Sequence, residues 1–406
     1  MGNIGMRLAW AVGAGKVVGV TITLLAGSAA ISIAGQGPVG TADPYAPSYH
    51  HPYRHGAVPT RSAKVKMEAY GASHPAAQST SPQLRFGGGV DGIGVTTGRP
   101  RVFLDFFGSG WGAVHLDANR DLTFSNDSFF AADQLQEMFK GIGTGGELWS
   151  AVMSQYCEGV ATGSIACSVS SPTVGYPLGG ALAGVFFDNV ATPATTTAHD
   201  IAAEAVTAAV HFGNMTPAAN RNAVYVIFSP HGFHPDGWNS SSGWCAWHDW
   251  NGDTQLHGGP APSSVGDVAF INLPYVGDAG ANCGQHFVNS GFAGDNDGVT
   301  IVAGHEYSEV ITDQNPPGGW TDASGEENAD KCAWLAPGTQ GGAGNITTAL
   351  GTFAMQGTWS NAFNTDLGGC ELTRDLVTVN DPGTQTGEVT LPAGTSLPSP
   401  SPPLSR

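Results

Sequence analysis

The chain has 406 residues, 59 of them Gly, with only 12% charged residues and a formal net charge of −18. Average soluble proteins carry about 25% charged residues and about 7% Gly. Glycine shows no G-X-Y period, so a collagen-like chain is excluded, 41% hydrophobic residues exclude a wholly disordered one, and the shortage of Lys and Arg (15 against 33 acids) argues against a nucleic-acid partner.

The charge is split along the chain. Residues 1–85 hold seven Lys/Arg and two acids, whereas residues 86–406 hold eight and 31. Arg7 and Lys16 precede the apolar run Val17 to Ala34, and small residues follow at Ser32-Ile-Ala34 and Gly40-Thr-Ala42. This pattern predicts a secretory signal peptide over 1–42, the Gly, Ser and Thr in the run disfavouring an uncleaved anchor. Residues 43–86, rich in Pro, His, Ser, Ala and Tyr, read as a pro-segment or linker, with a flexible spacer favoured. A single folded domain is expected over 87–378, followed by a disordered Pro/Ser/Thr tail over 379–406. Cys157, Cys167, Cys245, Cys283, Cys332 and Cys370 all fall inside the folded part. An even count behind a signal peptide predicts three disulfides, and short loop closure favours sequential pairing.

Within the domain, Arg101–Phe107, Ala183–Phe187, Ala223–Phe228 and Val268–Leu273 read as strands. Phe129–Phe139 and Ala198–Phe212 read as helices between them. Strands alternating with helices predict an α/β (or α+β) domain with a central sheet, the rest forming long disulfide-stapled loops.

The most informative stretch runs from Asp297 to Asp313 and contains Gly304-His-Glu-Tyr-Ser-Glu309. Asp297 suits an N-cap, and Asn315-Pro-Pro ends the helix. Four residues apart, His305 and Glu309 leave one helical face together, with Glu306 beside them. H-E-x-x-E differs by one residue from the zinc hydrolase motif H-E-x-x-H, in which the i and i+4 residues grip the ion and the i+1 carboxylate takes a proton from its water. A carboxylate in the second ligand position shifts preference toward harder cations, so Ca²⁺ stands beside Zn²⁺.

Past the Pro-Gly break come Glu326, Glu327 and Asp330. The arrangement resembles thermolysin-type peptidases, whose third ligand is a downstream glutamate with an acid one turn beyond it bracing the first histidine. Glu327 follows His305 by 22 residues. The resemblance implies His305, Glu309 and Glu327 as ligands, Glu306 as general base, and Asp330 or Asp313 as braces behind them, within a zincin-like fold.

A broader resemblance covers Gly87 to Cys370. Gly98-Arg-Pro-Arg-Val-Phe-Leu-Asp-Phe-Phe-Gly108, Glu147-Leu-Trp to Tyr156-Cys157, Gly243-Trp-Cys-Ala-Trp-His248, Tyr275-Val-Gly277, the Gly304–Glu309 segment and Glu327-Asn-Ala-Asp-Lys-Cys332 follow one another in order. This order resembles the secreted EXORDIUM-like, phosphate-induced protein family of plants and, more closely, its bacterial relatives. The resemblance implies secretion and a common fold, and leaves the reaction open.

Among other residues, His231, His234 and His248 lie in what reads as a Trp-rich loop. His248, flanked by Trp244, Cys245 and Trp247, is the best candidate for a second catalytic group. Trp238, Trp244, Trp247 and Trp250 suit either glycan stacking or core. Asp117-Ala-Asn-Arg-Asp121 has the spacing of a calcium loop but lacks the EF-hand glycine, which favours a solvated turn. The expectation is a secreted, monomeric, zinc-dependent metalloendopeptidase acting on extracellular protein or peptide, free of nucleic acid and, once the signal is cleaved, of membrane. A non-catalytic wall-associated or glycan-binding protein, with calcium in a structural role, is the rival.

Overall fold

The computed structural model describes residues 43–74, 82–193 and 196–376. The expected signal peptide and C-terminal tail lie outside them. Six strands form one sheet: β1 (His55–Pro59), β2 (Arg101–Phe107), β3 (Leu182–Asp188), β4 (Ala223–Phe228), β5 (Trp244–Trp250) and β6 (Ala269–Leu273), in the order β1-β5-β6-β4-β2-β3. β6, β4, β2 and β3 run parallel, and β5 is antiparallel to both β6 and β1. The parallel strand β4 is a continuous apolar run, and β2 is one but for Arg101 and Asp105, because helices cover both of their faces.

One face packs on α3 (Ala198–His211), through Phe103, Tyr225, Ile227, Trp247 and Phe270. The other carries Val102, Leu104, Val226, Ala246 and Ile271 against α2 (Ala131–Gly141) and α4 (Asp297–Val310). All fourteen residues of α4 are buried, so the helix needs no polar face. Asp297 is its first helical residue rather than its cap, and its carboxylate accepts from the Val288 and Asn289 amides instead. The helix stops at Val310, three residues short of the expected end. Disulfides join Cys157 to Cys167, Cys245 to Cys283 and Cys332 to Cys370, the sequential pairing.

Two expectations are corrected. Residues 43–74 are not a flexible spacer: Thr60 caps α1 (Arg61–Ser73), and β1 forms the sheet edge with its last four residues buried. The Trp-rich loop is strand β5, buried along its whole length, with Trp238, Trp244, Trp247 and Trp250 in or against the core. None of those rings is open for glycan stacking. Mixed Trp, Cys, His and Asp composition hid a strand whose two faces are both covered. Among the described residues no helix is long and apolar enough to cross a membrane, and the three disulfides fit an oxidising compartment.

Beneath α3, Asp105 of β2 meets Glu204. Burial, reinforced by Glu204, pushes Asp105 up to about 10, and burial lifts Glu204 to about 7. In an unfolded chain both lose their protons near pH 4. Between those limits the folded state binds more protons, so this pair's stability is complete below about pH 4 and is lost as pH rises through about 7 toward about 10. Urea unfolding from pH 5 to 9 should show a falling midpoint that Asp105→Asn flattens. Parallel profiles for the two proteins would refute the pair's role.

Candidate metal centre on helix α4

The helical spacing brings the i and i+4 side chains together: His305 Nε2 lies 3.1 Å from Glu309 Oε2. Glu306 turns toward β5, where His248 Nδ1 stands 3.3 Å from its Oε2. Strand alternation places this histidine on the α4 side, since its neighbour Trp247 enters the opposite core.

The acid turn after the Pro-Gly break is fastened to the same helix. Glu309 Oε1 accepts from the Ala329 and Asp330 amides at 3.0 and 2.8 Å. Asn328 donates to the Ser308 carbonyl and Thr312 Oγ1. This clamp brings Asp330 Oδ1 to 3.6 Å from His305 Nε2 and Glu327 Oε2 to 3.6 Å from His248 Nε2. Thus His248, His305, Glu306, Glu309, Glu327 and Asp330 come together, with one difference in detail, whereas the Asp313 carboxylate accepts from the Gly319 amide. The carboxylate beside His305 and Glu309 is Asp330, and Glu327 lies against His248. Two overlapping sets have ligand atoms within 4.8 Å of one another: His305, Glu309 and Asp330, and His248, Glu306 and Glu309.

Gln356, without any sequence signal, orients His305. Its Nε2 donates to the Ala329 and Gly357 carbonyls, which leaves its Oε1 to accept from His305 Nδ1 at 3.0 Å. His305 Nε2 therefore points bare into the cluster, as in metal-binding histidines whose other nitrogen is held by an oxygen.

The cluster is sealed by β1. Gly56 has φ +52°, and any Cβ there would collide with Glu309 Oε2 and the His248 ring. Glycine is required both for the left-handed backbone and for the close approach. The Val58 backbone also faces Glu306. Neither residue carried a recognisable signal.

Six buried atoms here lack a hydrogen-bond partner: His248 Nε2, His305 Nε2, Glu306 Oε1, Glu309 Oε2, Asp313 Oδ2 and Glu327 Oε2. No Lys or Arg ion-pairs with these carboxylates among the described residues. Burial pushes Glu306 and Glu327 well above the usual carboxylate range, Glu309 up to about 8 and Asp313 up to about 7. Burial also opposes charge on His305, yet Glu309 beside it overrides this and holds its pKa well above normal. His248 is driven well below normal by burial and by the neighbouring His55 and His305. Burial thus favours the protonated form of these carboxyls, while His248 offers a neutral imidazole.

His231 is exposed and pairs with Asp278, and His234 begins a turn away from the cluster. Residues 117–121 form the turn of a hairpin between Val114–Leu116 and Leu122–Phe124: Asp117 accepts from the Asp121 amide, Asp121 pairs with Lys140, and Asp127 accepts from the first amides of α2. No protein-family model, curated protein or solved structure matches the chain.

Proposed function

We propose that this protein is a secreted, metal-dependent hydrolase, a zincin-like peptidase whose centre is kept latent by β1. The observation that carries the reading is the set of six partnerless buried atoms from histidines and carboxylates, with no Lys or Arg to neutralise them. Each unsatisfied buried group costs about 1–3 kcal/mol, and more when charged. A divalent cation held by His305, Glu309 and Asp330 would satisfy His305 Nε2 and Glu309 Oε2 directly and place a compensating positive charge beside the other carboxylates.

His305, Glu309 and Asp330 would hold the ion, with Gln356 orienting the first. A bound zinc would supply Lewis acidity and a water whose pKa falls to about 7. Glu306 would accept the proton from that water, and His248, 3.3 Å from it, would steady the charge. The carboxylate-rich set widens the metals it accepts toward Mn²⁺ and Ca²⁺. The ordered resemblance to EXORDIUM-like proteins and the three disulfides support an extracellular setting.

Substrate could enter only after β1 has left the cluster, which suits a pro-segment role for residues 43–86. Metal analysis of the purified protein tests the reading. One equivalent of zinc that His305→Ala abolishes would support it; calcium alone would move the site to a structural role, and no retained metal would end it. Gln356→Ala should weaken metal affinity about 10–100-fold. Isothermal titration checks this, and an unchanged affinity would remove Gln356 from the site.

A further inference from the structure

We propose that His55, Asp249 and Asp253 form a second site for a first-row divalent cation, on the other face of β5. His55, Asp249 and Asp253 each offer a ligand atom within 4.8 Å of the others. His55 Nε2, Asp249 Oδ2 and Asp253 Oδ2 are buried without a hydrogen-bond partner. Asp249 is fully buried and the Asp253 side chain is 9% exposed.

The two carboxylates are oriented in the same way. Asp249 Oδ1 accepts from the Trp250 amide at 2.7 Å, and Asp253 Oδ1 from the Gln255 amide at 2.9 Å. Each is left with one free oxygen facing the other and His55. The nearest alternative, a His55–Asp253 hydrogen bond, fails on distance at 3.7 Å. No Lys or Arg reaches either acid among the described residues.

One imidazole with two carboxylates suits Zn²⁺, Mn²⁺ or Fe²⁺ rather than a thiophilic ion. The consequence is mechanical. His55 belongs to β1, whereas Asp249 and Asp253 belong to β5 and the turn after it. The ion would tie the edge strand to its neighbour, one residue from the Gly56 that covers the α4 cluster. This site stands without the hydrolase reading, because none of its three residues belongs to the set around His305.

The test is zinc and manganese titration of the chelator-stripped full-length protein, with bound metal counted by mass spectrometry. Two equivalents are expected for the wild type, and one each for Asp249→Asn/Asp253→Asn and for His305→Ala. His55→Ala, altering only a partly exposed edge residue, should weaken the second equivalent at least tenfold and serves if the double variant does not fold. A stoichiometry that neither variant changes overturns the site. Metal lost only in His305→Ala overturns this site and spares the first; metal lost only in the Asp249→Asn/Asp253→Asn protein does the reverse.

Discussion

Removing divalent cations from this protein is expected to lower its thermal midpoint by roughly 5–10 °C. An ion present at about 1,000 times its Kd stabilises the folded state by about 4 kcal/mol, and for a large domain each kcal/mol moves the midpoint by about 2–4 °C or somewhat less. The effect should be large here because the ion would satisfy atoms that nothing else satisfies. Without it, Glu306, Glu309, Glu327 and Asp313 can escape mutual repulsion only by taking up protons, as their raised affinities indicate. His305→Ala and Asp330→Asn should therefore lose the part of the chelator response that this centre supplies, while Glu327→Gln, on the His248 side, should keep most of the response. Differential scanning calorimetry with zinc, manganese or calcium added back identifies the ion. A wild-type midpoint indifferent to chelation, together with no bound metal, would sink the metal centre.

How much of this was legible beforehand depends on whether a residue's role is written in its neighbours. His305, Glu306 and Glu309 were readable because one helix carries all three at a spacing that fixes their relative directions. Asp330 and Glu327 were readable as a pair, but not which of them would meet His305. That choice rests on Glu309 Oε1 taking the Ala329 and Asp330 amides, a long-range bond with no local trace. His248 was found through its flanking Trp and Cys, a sign of burial, although the element was misread. His55, Gly56 and Gln356 had no signal at all. Each lies on a segment whose place is decided by partners far along the chain: β1 by β5 almost two hundred residues later, Gln356 by the Ala329 carbonyl and His305. The sheet strands followed the same rule. β2 and β4 are apolar enough to announce themselves, whereas β1 and β5 are strands because of what lies on either side of them.

The position of β1 leads to the second large expectation: loosening this strand should switch on hydrolysis. Its entry is held by Arg54, whose guanidinium meets Asp236 at 2.9 Å and lies over the Trp244 ring at 4.7 Å. Tyr53 donates to the same carboxylate, and Trp334 Nε1 donates to the Pro59 carbonyl at 2.7 Å. Truncating Arg54 alone would strand a buried acid at a cost of about 3–5 kcal/mol, so Arg54→Ala is combined with Asp236→Ala to weaken the strand without leaving that charge. Each loss of about 1.4 kcal/mol in the attachment raises the open population about tenfold. Peptide hydrolysis by the metal-loaded double variant should rise at least in that proportion. Adding Glu306→Gln to the opened protein should then cost about 10²–10⁴ in rate, the usual contribution of a general base, with metal content unchanged. Hydrogen exchange at the Val58 amide reports independently whether β1 has opened. An opened strand with no gain in hydrolysis would refute latency, and turnover that survives Glu306→Gln would refute the assignment of the base.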